Sequence, residues 1–362
     1  MVIYFFVAGI STALAGISQG IDRYYRQVQR KTLPSKLSFL ARGTWTPIDF
    51  MLLAGLVVFS GLRYYVGTDY GIYTTIYAQL NPQDWVGSLT ASPVEFGFTI
   101  LSLMIRSFTN QASVLFWVTS TITIVPVFVA MKRQSTNFAL TVLFFILLAS
   151  YVTPFNIVRQ GMAIALLFWA SSFMVKRKVL WVLVVLVATS FHSTAIFAAA
   201  LQLILYRWKP TLRTFIAALV VTYVVGAVFI KQPAVVNFLS SINGRYATYL
   251  DGAGSGLGTY LIAAIFVILV LIAFALPRDP GTERWLGYAA LAPIFLILGT
   301  SFAVLGRMEG YFSIFFILLL ANRIRVSKHR LGFTIVVVVI SAIFFAFYVS
   351  SFASLVPYRM LP

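Results

Sequence analysis

A charged residue and an amide lie inside the first turns of an apolar stretch, residues 154–178 of the chain. They are Arg159 and Gln160. A guanidinium binds phosphate or carboxylate oxygens through paired donors. An arginine at mid-membrane costs about 2.5–3.5 kcal/mol on insertion scales. Asn156, Arg159 and Gln160 follow i, i+3, i+4 spacing, which predicts one shared helix face. This pattern indicates an anion site; an anchor at the membrane interface is the alternative.

Three ionisable side chains have the chemistry of a general base. Asp69 lies in "RYYVGTDYGIY" together with Arg63, His192 lies in "SFHSTAIF", and Glu95 begins "EFGF". Histidine transfers protons near neutral pH, and a positioned carboxylate does the same. We favour Asp69 and His192 over Glu95 without ranking the first two. A solvated turn for Asp69 and a hydrogen-bonded structural histidine are the alternatives.

Two further segments combine arginine with aromatic or acidic residues. "GRYATYL" contains Arg245 and Tyr246, and "LGRMEGYF" contains Arg307 and Glu309. Aromatic rings form belts at membrane interfaces, and they also stack on sugar rings. Arg307 and Glu309 either pair with each other or face a substrate.

The composition requires a membrane environment for these side chains. Of 362 residues, 60% are hydrophobic and 10% are charged, whereas soluble domains carry about 25% charged residues. Since about 20 apolar residues cross a hydrocarbon core of ~30 Å, the sequence predicts an all-α polytopic membrane protein with about twelve spans, forming a single domain over residues 1–362. The predicted spans are 2–19, 47–62, 112–130, 137–154, 156–174, 179–191, 193–206, 212–230, 259–276, 285–305, 311–322 and 331–350.

Several segments do not fit a simple crossing. The spans at 179–191 and 193–206 are short, so they are tilted, longer than drawn, or re-entrant. Residues 94–108 are apolar on one face, which predicts an interfacial helix, with a thirteenth span as the alternative. The predicted outer loops are residues 63–111 and 231–258, and loops of this length are often lids or binding segments.

The charge distribution predicts orientation and excludes some classes of function. Most of the 27 Lys and Arg residues occur in alternate loops, which predicts that those loops are cytoplasmic and both termini outside. The net charge of +18 therefore reflects topology and predicts no nucleic-acid partner. The inner charges are interpreted as topology signals and the outer ones as a site. The absence of cysteine and of clustered metal ligands in the sequence argues against thiolate chemistry and a tightly bound metal.

Six motifs, in this order and spacing, resemble the EpsG family. They are "RYYVGTDYGIY" (63–73), "VEFGF" (94–98), "NIVRQGMAIAL" (156–166), "FHSTAIF" (191–197), "GRYATYL" (244–250) and "RMEGYF" (307–312). The resemblance covers roughly residues 45–325. It implies a bacterial Wzy-like membrane glycosyltransferase, a polymerase of exopolysaccharide or capsule synthesis, with a GT-C-like fold in the cytoplasmic membrane.

The implied substrates are a donor and an acceptor oligosaccharide, each carried on a polyprenyl (undecaprenyl) diphosphate in the outer leaflet. Membrane lipid and a copolymerase that regulates chain length are the other implied partners. In such a reaction, arginines stabilise the diphosphate leaving group, and we expect no metal or other cofactor. The predicted diphosphate-binding residues are Arg63, Arg159, Gln160, Arg245 and Arg307. The predicted sugar-binding residues are Tyr70, Tyr246 and Glu309.

Other classes of membrane protein are consistent with the same residues. A flippase for lipid-linked oligosaccharides is the main alternative, although transporters usually place their polar sites near the midplane between internal repeats. An O-antigen-type ligase, an acyltransferase and a scaffold without turnover are further alternatives.

Overall fold

The computed structural model describes residues 1–32, 45–229, 256–351 and 354–361. These residues form helices and connecting turns, and their β-type pairing is an antiparallel bridge between Arg63 and Met360. Five of the described helices are long and apolar enough to cross a membrane: Val2–Tyr25, Ala112–Gln134, Leu257–Ala275, Ala303–Val326 and Arg330–Ser351. With the shorter apolar helices, they confirm a polytopic helical membrane protein. The count of twelve spans and the GT-C-like fold stay predictions.

The described residues pack as two compact units. The first contains Met1–Ala199 and Ser341–Pro362, and the second contains Ala200–Ile340. The single domain stays a prediction. Helices in the first part of the chain are α1 (Val2–Thr32), α2 (Pro47–Gly61), α3 (Asp69–Gln79), α4 (Trp85–Ala91), α5 (Phe96–Arg106), α6 (Ala112–Gln134), α7 (Phe138–Leu147), α8 (Val158–Ala170) and α9 (Lys178–Phe191). The following helices are α10 (Ala195–Ile204), α11 (Leu212–Val224), α12 (Leu257–Ala275), α13 (Glu283–Ala289), α14 (Leu291–Gly299), α15 (Ala303–Gly306), α16 (Gly310–Ser313), α17 (Phe316–Val326) and α18 (Arg330–Ser351).

The predicted outer loop at 63–111 contains the three helices α3, α4 and α5. The 11 residues of α5 extend about 17 Å at 1.5 Å per residue, so α5 is too short to be a thirteenth span. Tyr70, Tyr73 and Tyr77 lie on one face of α3, where they join a buried cluster with Phe98 of α5 and Phe116 of α6. This aromatic cluster fixes α3 and α5 against α6.

Three consecutive helices of the first unit are shorter than a full crossing. The 23 residues of α6 extend about 35 Å. The 10 residues of α7, the 13 of α8 and the 14 of α9 extend only about 15, about 20 and about 21 Å. The predicted spans 137–154 and 156–174 are therefore wrong in extent. The helix ends at Leu147 because Ala149 adopts a φ of 59°, and Tyr151 then donates a hydrogen bond to the Leu56 carbonyl at 2.7 Å.

The predicted span 285–305 is interrupted in the second unit, whereas the predicted span 311–322 lies within the candidate span Ala303–Val326. Pro293 has no N–H to donate to the carbonyl of Ala289, and the chain divides there into α13 and α14. Beyond α14, Gly299 and Gly306 approach closely enough that a Cβ on Gly299 would lie 2.4 Å from the Gly306 Cα. This close approach accommodates the short helices α15 and α16.

A buried ion pair lies at the end of α2 and α6 that the sequence assigns to the cytoplasm. Lys132 Nζ lies 2.8 Å from Asp49 Oδ2, and the two side chains are 4% and 0% exposed. The Asp49 carboxylate also accepts hydrogen bonds from Ser18 Oγ at 2.6 Å and from the backbone N–H of Thr46 at 2.8 Å. Because this pair joins three helices, Asp49 and Lys132 have a packing role in addition to the predicted role as topology signals.

The second unit contains a similar arrangement around Arg323. Its guanidinium donates to Glu283 Oε1 at 2.7 Å, to Thr282 Oγ1 at 2.9 Å and to the Ala273 carbonyl at 2.7 Å. Arg323 is 1% exposed. Arg323 therefore joins α12, α13 and α17. Arg323 and Glu283, like Asp49 and Lys132, have a packing role in addition to the predicted role as topology signals.

Candidate functional site

Three of the predicted site residues converge in the first unit. The Glu95 carboxylate forms an ion pair with the Arg159 guanidinium. Glu95 Oε1 lies 3.0 Å from His192 Nδ1, and it accepts a hydrogen bond from the backbone N–H of Ser193 at 3.2 Å. One carboxylate thus holds a guanidinium and an imidazole that are distant in the sequence. We call Glu95, Arg159 and His192 the outer cluster, after the orientation that the sequence predicts.

Helix ends place the members of the outer cluster. Glu95 is the N-cap residue of α5, but its side chain does not cap its own helix. His192 is the C-cap residue of α9. The two ends meet because α5 and α9 approach at Gly97, where a Cβ would lie 2.2 Å from Ser190 Oγ. A side chain at position 97 would separate Glu95 from His192.

A second layer links the cluster to α3. Arg159 Nε donates a hydrogen bond to the Tyr73 hydroxyl at 2.7 Å, and Tyr73 also hydrogen-bonds the Asp69 carboxylate. Burial, followed by the charge of Asp69, raises the pKa of Tyr73 to about 12, so this phenol stays protonated at neutral pH. Asp69 Oδ2 accepts from the backbone N–H of Val158 at 3.0 Å. Asp69 therefore caps α8, where an anion is favoured by the helix dipole.

The turn before α3 docks directly onto the turn before α8. Gly67 has a φ of 90°, and a Cβ there would lie 2.3 Å from the Phe155 carbonyl oxygen. The backbone N–H of Thr68 donates to Asn156 Oδ1 at 2.9 Å. Asn156 precedes the helix, which begins at Val158. The predicted shared face of Asn156 with Arg159 and Gln160 is therefore wrong, because the helical spacing does not extend back to residue 156.

The outer cluster is partly open. The side chains of Arg159, Glu95 and His192 are 22%, 20% and 15% exposed. The cluster is therefore within reach of a small polar group.

Other predicted residues occupy different surroundings. Arg63 is 2% exposed, and Tyr70 is 3% exposed with its ring stacked on Phe116 at a centroid distance of 3.9 Å. Gln160 is buried in α8. In this conformation these three side chains are covered by protein, so a diphosphate or a sugar would require a rearrangement to reach them.

The remaining predicted residues belong to other parts of the chain. Arg307 and Glu309 lie in the second unit, in the short 3₁₀ segment between α15 and α16. Arg245, Tyr246 and most of the predicted loop 231–258 lie outside the described residues.

The sequence reasoning missed Tyr73, which joins Arg159 to Asp69. Its spacing from Tyr70 and Tyr77, at i, i+3 and i+7, indicated an aromatic face on α3. That pattern is equally typical of a packed core, and only the contact with Arg159 distinguishes the two.

Comparison with known families identifies the chain. Residues 48–360 match the family model described as the EpsG family. The chain belongs to the EpsG family. The matched range contains the whole outer cluster together with Asp69 and Tyr73. No curated protein and no solved structure was found to match the chain.

Membership of the EpsG family implies a membrane protein of the polysaccharide-polymerase type. The outer cluster of this EpsG chain offers a guanidinium for an anion and an imidazole beside a carboxylate for proton transfer. Among residues 1–32, 45–229, 256–351 and 354–361, no three His, Cys, Asp or Glu side chains gather as a metal site would require. Metal independence stays a prediction.

Proposed function

We propose that this protein is a membrane glycosyltransferase that polymerises polysaccharide from polyprenyl-diphosphate-linked repeat units at the outer face of the bacterial cytoplasmic membrane. The observation that carries the proposal is the convergence of Glu95, Arg159 and His192 from three helix ends. The EpsG family match supports the reaction class. The partial exposure of the cluster also leaves its side chains open to a polar group of the substrate.

In this proposal Arg159 binds the diphosphate of the donor. In the structure, the Arg159 guanidinium is paired with the Glu95 carboxylate. A phosphate oxygen accepts hydrogen bonds from a guanidinium as a carboxylate oxygen does. Donor binding therefore exchanges one anion for another on the guanidinium. Glu95 keeps the Ser193 N–H and the His192 ring as partners. In the absence of donor, Glu95 keeps an anionic partner on the partly exposed Arg159 guanidinium.

His192 is the proposed general base. The Glu95 carboxylate beside Nδ1 favours the tautomer with its proton on that nitrogen, so that Nε2 is the acceptor. The acceptor hydroxyl oxygen attacks C1 of the donor sugar, and its proton passes to His192 Nε2. The bond between C1 and the diphosphate oxygen breaks, and its electron pair leaves with the lipid diphosphate, whose developing charge Arg159 stabilises.

Asp69 and Tyr73 act as positioning residues in this scheme. Asp69 accepts from the first N–H of α8 and from Tyr73, and Tyr73 in turn accepts from Arg159. This arrangement favours His192 over Asp69 as the base, because the Asp69 carboxylate already holds the helix that carries Arg159. Arg245 and Arg307 remain proposed contacts of the diphosphate, and Tyr246 and Glu309 of the sugars.

The test compares purified Arg159→Lys and Arg159→Ala proteins in the polymerisation of lipid-linked repeat units. Lysine keeps the charge but loses the paired donors, so we expect both variants to lose about 10²–10³-fold in turnover, the scale of a lost charge stabiliser. Arg106→Lys is the matched control, because Arg106 lies on α5 and stacks on Tyr77, away from Glu95.

Normal turnover in both Arg159 variants would refute the assignment. Transfer of the lipid-linked oligosaccharide across a vesicle membrane without a longer glycan product would support the flippase alternative.

A further inference from the structure

A buried guanidinium in the first unit is not part of the outer cluster. Arg63 follows α2 and is 2% exposed. Its Nη1 donates to the Ser60 carbonyl at 2.6 Å, to Ser60 Oγ at 3.2 Å and to Ser120 Oγ at 3.0 Å. The rings of Phe116 and Phe155 lie 5.1 and 4.5 Å from its Cζ. Burial lowers the pKa of Arg63 to about 10, which still leaves the group charged at neutral pH.

The charge of Arg63 has no direct counter-ion within the described part of the chain. No described carboxylate lies within 4 Å of the guanidinium, and its Nε is buried without a hydrogen-bond partner. The charge of Asp69 acts on it from a greater distance, while the Asp69 carboxylate bonds Val158 and Tyr73. Two aromatic faces compensate part of the charge. A buried charge without an anion is otherwise costly.

A small cavity lies beside this guanidinium. Its volume is ≈ 10 Å³, and its lining includes Arg63, Ser60, Ser120, Thr123, Tyr151 and Pro154. A cavity of this size holds about one water-sized particle. This volume suits a single small ligand and is smaller than the diphosphate proposed for Arg159.

The cavity lining has more donors than acceptors. Ser60 Oγ and Ser120 Oγ lie 2.7 Å apart and share one hydrogen bond, while each also accepts from Arg63 Nη1. One of the two serine protons is therefore left to donate, beside the N–H groups of the Arg63 guanidinium. Tyr151 and Thr123 donate to the carbonyls of Leu56 and Thr119. A water molecule would accept from these donors but would add two protons of its own.

We propose that Arg63, Ser60 and Ser120 form a binding site for a single halide ion, chloride under physiological conditions. A halide accepts hydrogen bonds and donates none. Its negative charge would balance the positive charge of the Arg63 guanidinium, and it is only slightly larger than a water molecule. The ion would tie the end of α2 to α6 and so support the turn that leads to Asp69. The site is independent of the glycosyltransferase proposal.

The experiment measures thermal unfolding of the purified full-length protein in sodium chloride, sodium bromide and sodium gluconate at one ionic strength. We expect the unfolding midpoint of the wild type to rise by several degrees with increasing chloride or bromide, as ligand linkage requires. The rise should be absent in Arg63→Met and reduced in Ser120→Ala. Arg106→Met, which removes a partly exposed arginine of the same unit, should respond like the wild type.

A bromide-soaked crystal of the wild type supplies a second readout that needs no variant. An anomalous peak beside the Arg63 guanidinium supports the site. The proposal is overturned if the midpoint is the same in chloride and gluconate, if Arg63→Met keeps the full halide response, or if the anomalous map has no peak in the cavity. Should Arg63→Met fail to fold, Ser120→Ala and the anomalous map decide.

Discussion

The first unit contains two acid–base arrangements that differ in exposure and in the number of satisfied partners. Asp49 and Lys132 are 0% and 4% exposed, and Ser18 and Thr46 complete the hydrogen bonds of the carboxylate. Glu95 and Arg159 are 20% and 22% exposed, and the same carboxylate lies against His192. In the sequence, each pair consists of an acidic and a basic residue that belong to different apolar segments.

The difference in exposure indicates that the two ion pairs have different roles. The Asp49–Lys132 pair has its partners inside the protein, so it can stabilise only one packing of α1, α2 and α6. Glu95 and Arg159 keep part of their surface open, so an anion can replace Glu95 on the guanidinium. A partly exposed pair contributes little to stability. We therefore expect substitutions in the Asp49–Lys132 pair to change stability and substitutions in the outer cluster to change activity.

The largest expected effect is on turnover. His192→Ala removes the proposed base, and loss of a positioned base typically costs about 10²–10⁴-fold in rate. The midpoint of thermal unfolding should stay near that of the wild type, because His192 is partly exposed. Single-turnover transfer between lipid-linked units measures the rate. The chain has two histidines, and His329→Ala, at an exposed position, is the matched control. Wild-type turnover in His192→Ala would leave the outer cluster without a base.

The next largest effect is on stability. Lys132→Ala leaves the Asp49 carboxylate buried without its cation, which should lower the free energy of unfolding by about 3–5 kcal/mol. The Asp49→Leu, Lys132→Met double variant removes both charges and should recover most of that loss, as replacement of buried ion pairs by apolar side chains often does. Denaturant unfolding in detergent measures both.

Lys178→Ala, which removes an exposed lysine at the start of α9, should be nearly neutral in the same assay. A Lys132→Ala protein that is as stable as the wild type, whether active or inactive, would contradict the assignment of the Asp49–Lys132 pair to stability.

A smaller effect separates binding from catalysis. Glu95→Gln keeps the size of the side chain but releases Arg159 from its ion pair and weakens the orientation of His192. We expect kcat to fall roughly 10- to 100-fold, the range for carboxylates that orient metal-bound histidines. The KM for the donor should stay the same or fall, because the diphosphate no longer competes with a carboxylate. A purely structural role would instead raise KM, and steady-state kinetics with varied donor distinguishes the two.

The smallest expected effect concerns the turn that supports the outer cluster. Gly67→Ala places a side chain in a left-handed conformation and against the Phe155 carbonyl, which should cost about 1–3 kcal/mol and lower turnover by displacing Asp69. Gly55→Ala is the control, since its Cβ meets no atom within 4 Å and an alanine is favourable inside a helix. Equal stability of the two variants would show that the turn tolerates displacement.

Several residues of the candidate site were noticeable in the sequence because membrane insertion makes each charge costly. The sequence singled out Asp69, Glu95, Arg159 and His192, since no requirement of topology explains them. The extent of the helices was less predictable: hydropathy does not detect the left-handed Ala149 or the missing N–H of Pro293, and both interrupt apolar runs.

The apolar composition by itself determined a polytopic helical membrane protein, and the order of six short motifs indicated the EpsG family. Only the tertiary structure decided which charges meet. Ion pairs such as Glu95–Arg159 and Asp49–Lys132 join residues 64 and 83 positions apart, and hydropathy and local spacing carry no information about such separations. The roles of Glu95, of Tyr73 and of the buried Arg63 all depend on packing between helices, which is why the sequence could name the residues but not assign their partners.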